Sequence, residues 1–140
     1  MVSTTAISNS QFTVHSLQFT IMRPHEKLDV YNLSFQLAKE IYKVTLDFPK
    51  DEMYGLISQM RRAAISIPSN IAEGAGRNSK AEFLQFLYIA RGSLCELETQ
   101  IKISKELRYV DEKRYEHILK QIEDIFKTLS GLISSLKRKD

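Results

Sequence analysis

Residues 79–101 read Ser-Lys-Ala-Glu-Phe-Leu-Gln-Phe-Leu-Tyr-Ile-Ala-Arg-Gly-Ser-Leu-Cys-Glu-Leu-Glu-Thr-Gln-Ile. Within them Phe83, Leu87, Ala90, Leu94, Leu97 and Ile101 recur at alternating spacings of four and three, the seam of a heptad-like helix. Ser79 followed three residues later by Glu82 has the spacing of a capping box, which starts that helix. Such a stripe is buried only when other helices face it, so the rest of the chain is read for its partners.

Upstream, a first helix is expected over about Leu28 to Asp47, with Val30, Leu33, Leu37, Ile41 and Val44 on one stripe. Phe48-Pro49-Lys50-Asp51 stops it, because the residue before a proline disfavours the α region. Asp51 is expected to cap a second helix striped by Met53, Ile57, Met60, Ala64, Ile67 and Ile71, with a kink at Pro68. Gly74-Ala75-Gly76-Arg77-Asn78 would end it through a left-handed glycine. Downstream, Asp111 caps a fourth helix striped by Tyr115, Ile118, Leu119, Ile122, Phe126, Leu129, Ile133 and Leu136. Four helices of roughly 30 to 40 Å joined by short links imply an all-α, antiparallel up-down-up-down four-helix bundle.

Composition bounds the remaining choices. A chain of 140 residues fits one domain. Residues 1–22 contain no Asp, Glu, Lys or Arg, and the charges begin just beyond Met22. The alternation of Leu17, Phe19 and Ile21 has no partner strand, so 1–22 are expected to form a poorly ordered extension outside a bundle domain of 23–140. A sharper expectation is that Met22 is the natural start. One Cys excludes a disulfide framework and any CxxC site. No run reaches the ~18 apolar residues of a membrane span, and no secretory signal is present, which points to a soluble, cytoplasmic protein.

More apolar surface is present than one bundle core covers. Residues 83–90 are apolar almost all round, with Leu84 and Tyr88 on one flank of the seam and Phe86 and Ile89 on the other. The first helix adds Tyr31, Phe35, Ala38 and Tyr42 as a second stripe. Self-association is the simplest cover, since a homo-oligomer supplies its own complement; loops or the N-terminal extension are the alternative shield. Gly92 costs roughly 1 kcal/mol relative to alanine, a loss that close backbone approach would offset.

Polar residues form two further candidates. Arg62, Ser66, Asn70, Glu73 and Arg77 fall within about an 80° arc opposite the apolar stripe. They form either a solvated face, which the geometry alone slightly favours, or a surface lining a groove, a pore or a partner. Net charge is only +3, from 20 basic and 17 acidic groups. The excess lies in the last 40 residues, where Arg108, Lys113, Arg114, Lys120, Lys127, Lys137, Arg138 and Lys139 are the candidate contacts for an anion. Glu112, Glu116, Glu123 and Asp124 are interleaved with them, as on ordinary exposed helices.

The residue inventory argues against an enzyme. A carboxylate-bridged di-iron bundle needs Glu-x-x-His pairs, whereas Met22 and Arg114 stand three residues before His25 and His117. No HExxH, Cys/His metal spacing or GxxxxGK[ST] loop is present, and neither a cofactor nor a small-molecule substrate is expected. Glu96 and Glu98 point to different faces. Cys95 is read as buried filler in an apolar helix.

Several stretches together carry a family resemblance: Leu28-x-Val30-Tyr31, Phe48-Pro49-x-x-Glu52-x-Tyr54-x-Leu56, Gln59-x-Arg61-Arg62-Ala63-Ala64, Asn70-Ile71-Ala72-Glu73-Gly74, and Ala90-x-Gly92-Ser93-Leu94-x-Glu96-Leu97-Glu98. Over roughly residues 23–138 the chain resembles the four helix bundle proteins also called 23S ribosomal RNA intervening-sequence proteins. The resemblance implies a small antiparallel bundle that assembles as a ring, a pentamer, and no enzyme. It also implies a connection to nucleic acid, because related bundles look like accessory subunits that bind nucleic acid beside a reverse transcriptase. The expected function is therefore a non-catalytic, ring-forming adaptor for structured RNA or a ribonucleoprotein. The alternative is a self-assembling, protein-binding module without a nucleic-acid role.

Overall fold

The computed structural model describes residues 23–138; the expectations for residues 1–22 and for Lys139 lie outside them. Four long helices carry the fold: α1 (Asp29–Thr45), α2 (Leu56–Ala75), α3 (Lys80–Glu106) and α4 (Glu112–Arg138). Short 3-10 turns occupy Pro24–Lys27 and Lys50–Glu52, and no strand occurs among the described residues.

Each helix packs on its neighbours in sequence, and α1 also packs on α4, which closes the bundle. The contacts fix the directions. Between α2 and α3, Gly74 lies against Phe83 and Phe86, Ser66 meets Ser93, and Met60 meets Ser104, so one helix ascends as the other descends. Lys105 with Glu112 and Tyr88 with Lys137 set the same antiparallel relation for α3 and α4. Arg61 reaches Thr45 across α1 and α2, and Arg114 at the start of α4 reaches Asp47 just past the end of α1.

The seam of α3 is buried as its spacing predicts: Leu87, Ala90, Leu94, Leu97 and Ile101 have no exposed surface. They meet Leu37, Ile41, Met60, Ile67, Ile71, Ile118, Ile122 and Ile125, also fully buried. Local caps hold where the sequence placed them. The Glu82 N–H donates to Ser79 Oγ (3.2 Å), and the Arg114 N–H donates to Asp111 Oδ1 (2.8 Å).

Other local expectations give way to tertiary packing. Leu33 is 37% exposed, and Ser34 takes the inward position, its hydroxyl satisfied by the Tyr31 carbonyl at 2.9 Å. Asp51 does not cap α2, because successive turns from Pro49 to Gly55 use the backbone donors first and the helix starts at Leu56. Met53 is consequently 48% exposed. Pro68, by contrast, lies inside α2 as its position in the sequence implied, and it is buried there.

Helix ends reverse the glycine expectation. Gly76 closes α2 in a right-handed conformation (φ −84°, ψ −3°). The left-handed residue is Arg108 (φ 64°), just past α3. Its N–H donates to the Lys105 carbonyl and that of Tyr109 to the Ser104 carbonyl, both at 2.9 Å, which is the Schellman pattern. An arginine pays roughly 1 to 2 kcal/mol for a conformation glycine adopts freely.

Candidate functional site

The polar residues of α2 are drawn into the α2–α3 seam. Ser66 Oγ lies 2.9 Å from Ser93 Oγ, and Asn70 Nδ2 donates to the Ser66 carbonyl at 2.7 Å and to its hydroxyl at 2.9 Å. Glu73 and Arg77 pair at 3.0 Å, and the Arg77 guanidinium lies 4.9 Å over the Phe86 ring. Arg62 is exposed. The seam is close enough that a Cβ on Gly74 would stand 2.7 Å from Phe86 Cβ and 3.0 Å from Phe83 Cδ1. Close approach therefore belongs to Gly74; Gly92, where it was expected, has nothing within 4 Å of its Cβ position. Sequence spacing could not separate the two, because both lie inside helices.

On its other side α2 leaves an open groove with α1. Tyr31, Phe35, Ala38, Tyr42, Ile65, Pro68 and Ala72 line a space of about 570 Å³, with Lys39, Lys43 and Ser69 completing it. Phe35 is 46%, Tyr42 39% and Ile65 45% exposed. The groove brings together the α1 residues of the candidate oligomer interface and adds Ile65, which lay on no apolar stripe. One end is braced by His25, edge-on to Tyr31 at 4.8 Å. The other is clasped by Arg61, whose Nε donates to Thr45 Oγ1 at 2.9 Å while its guanidinium lies 4.6 Å over the Tyr42 ring. Thr45 is buried, and its hydroxyl donates a hydrogen bond to the Ile41 carbonyl at 2.7 Å.

The α3 members of that interface do not share one surface. Leu84 and Tyr88 are half-buried against the core, Phe86 packs under Arg77 beside Gly74, and Ile89 is 50% exposed.

The basic candidates divide by partner. Arg114 lies 3.4 Å from Asp47 and 3.7 Å from Glu40; Lys120 bonds Asp124 at 2.6 Å and Lys127 lies 3.5 Å from Glu123. The Asp124 hydrogen bond raises the Lys120 pKa above its ordinary 10.5, and the Glu112 hydrogen bond does the same for Lys105. Lys137 instead lies 5.4 Å over the Tyr88 ring, and Arg91, absent from the sequence-based set, lies 5.1 Å over the same ring. Arg108 and Lys113 have no carboxylate partner among the described residues.

Reactive groups stay apart. Cys95 is exposed rather than buried. The antiparallel register of α3 and α4 leaves His117 roughly 12 Å from it along the bundle axis, at 1.5 Å per residue. Among the described residues, no group of three or more His, Cys, Asp or Glu is placed to hold a metal ion, and no helix is long and apolar enough to cross a membrane.

The fold defines a class: small antiparallel four-helix bundles. Within that class, residues 26–131 match the family model described as 23S rRNA-intervening sequence protein, and the chain belongs to that family. It is similar to a solved structure from Bacteroides thetaiotaomicron, a protein with unknown function from the S23 ribosomal protein family. That similarity has a TM-score of 0.67 at 27% identity and covers 75% of this chain and 95% of the other. A search of curated proteins finds no match.

Proposed function

We propose that this chain is a non-catalytic, cytoplasmic bundle that self-associates into a ring, a pentamer, and serves as an adaptor for structured RNA or a ribonucleoprotein. The observation that carries the reading is the α1–α2 groove, where Phe35, Tyr42 and Ile65 stand side by side, each about two-fifths or more exposed. Contiguous apolar surface of this kind marks interaction sites. A second copy is the simplest complement, because a closed ring repeats one contact without leaving an open edge. The family's connection to ribosomal RNA genes supports RNA as the ligand.

Sedimentation of the full chain tests assembly: a single species several times the 16.2 kDa monomer mass is expected, and a monomer at high concentration overturns it. Retention on structured RNA that weakens steeply between low and physiological salt is expected for phosphate contacts. A ring that binds no RNA at low salt would leave the protein-binding alternative, for which the Arg62–Arg77 face is the candidate surface.

A further inference from the structure

Cations on this surface differ in how they are held. Lys102, Lys105, Arg114, Lys120 and Lys127 each lie within 4 Å of a carboxylate, so most of the field of each is cancelled locally. Arg91 and Lys137 have no carboxylate partner among the described residues and are both held over the ring of Tyr88, at 5.1 and 5.4 Å. An aromatic face attracts a cation through its quadrupole yet carries no net charge, so it orders both side chains without neutralising either.

Sequence and topology extend this contrast. Residues 83–95 of α3 and 125–138 of α4 contain no Asp or Glu, and the antiparallel packing lays these stretches side by side. Arg138 follows Lys137 in the last turn of α4 and is exposed, as are Arg91 and Lys137. The half-buried Tyr88 is anchored against the core. The rest of α4, from Glu112 to Asp124, interleaves acids with its bases.

We infer that the Arg91–Tyr88–Lys137 cluster is the phosphate-binding element of this chain, taking two phosphodiester groups of an RNA strand, with Arg91 and Lys137 as the contacts and Tyr88 as their positioning residue. The assignment rests on the RNA reading above and sharpens it: it moves the contact surface away from Arg114 and Lys120, whose charges are already answered, to the acid-free face of α3 and α4. In a ring every subunit contributes the same pair, and repeated weak contacts act together.

The test uses the full-length protein and a fluorescein-labelled single-stranded RNA of mixed sequence, followed by anisotropy as KCl rises. Each phosphate contact on a single strand contributes about 0.7 to the slope of log affinity against log salt, so R91A/K137A is expected to lower the slope by about 1.4 per bound subunit. K120A/K127A is expected to leave it unchanged. R91K/K137R should keep the slope, Y88F should bind as wild type, and Y88L should weaken binding at an unchanged helical circular-dichroism signal. Wild-type binding with an undiminished slope in R91A/K137A overturns the assignment alone, as does an equal loss in K120A/K127A. Absence of wild-type binding to this strand at low salt overturns the assignment, and absence of binding to a structured RNA hairpin as well removes the RNA reading.

Discussion

The two sides of α2 carry different residues and meet opposite fates. Toward α3, Gly74 admits Phe86 and Phe83 to contact distance, and Ser66, Asn70 and Ser93 satisfy one another across the seam. Toward α1, Tyr42, Phe35 and Ile65 line an apolar groove of about 570 Å³ that stays open at the surface. Ile65 and Ile67 state the contrast in one residue type: the first is 45% exposed and the second fully buried. Small residues close a seam and stabilise the monomer; bulky ones at the rim leave surface for something else to cover.

Breaking the closed side should cost most. Ile67→Ala removes fully buried methyl groups and is expected to destabilise the fold by about 2 to 5 kcal/mol in urea unfolding. Gly74→Val places a side chain where Phe86 Cβ already stands, and about 1 to 3 kcal/mol of overpacking is expected by the same measurement. Loss below 0.5 kcal/mol in Gly74→Val would mean that the seam opens as freely as the groove. Ser93→Ala deletes the hydroxyl that meets Ser66 but leaves Ser66 its contact with Asn70, so a loss of about 0.5 to 1.5 kcal/mol is expected.

The open side should behave differently. Ile65→Ser is expected to change the monomer's stability by no more than about 0.5 kcal/mol while shifting sedimentation toward smaller species. A large stability loss with unchanged mass would show that the groove is already closed in solution.

Smallest of all is the alkaline response, which should spare both sides of α2. Lys105 and Lys120 have pKa values raised above 10.5 by Glu112 and Asp124, and Tyr109 is raised above 10.0 by burial and then by Glu52. A raised folded-state pKa gives stability that is complete below the unfolded value and is lost as pH rises through the folded one. Thermal unfolding should therefore be insensitive to these groups up to about pH 10 and decline slightly above it. The difference between Ile65 and Ile67 variants should persist throughout.

What the sequence by itself determined is whatever depends on neighbours a few residues away. The α3 seam, the Ser79 and Asp111 caps and the stripe of α4, apart from the fully buried Ile125 that it missed, were legible because helical periodicity and capping are local, and they sufficed for four antiparallel helices. The polar arc of α2 was legible as an arc, yet its partner Ser93 was not, since no local signal reports which helix lies opposite. Tertiary structure alone decided that Ser34 rather than Leu33 turns inward, that Gly74 and not Gly92 meets another helix, and that Arg108 carries the left-handed turn. It also placed Lys137 over the Tyr88 ring, a contact between two helices, whereas the pairing of Lys120 with Asp124 one turn on is local to α4. Periodicity fixes which residues share a face; only packing fixes which edge of that face turns inward, what stands there and how near.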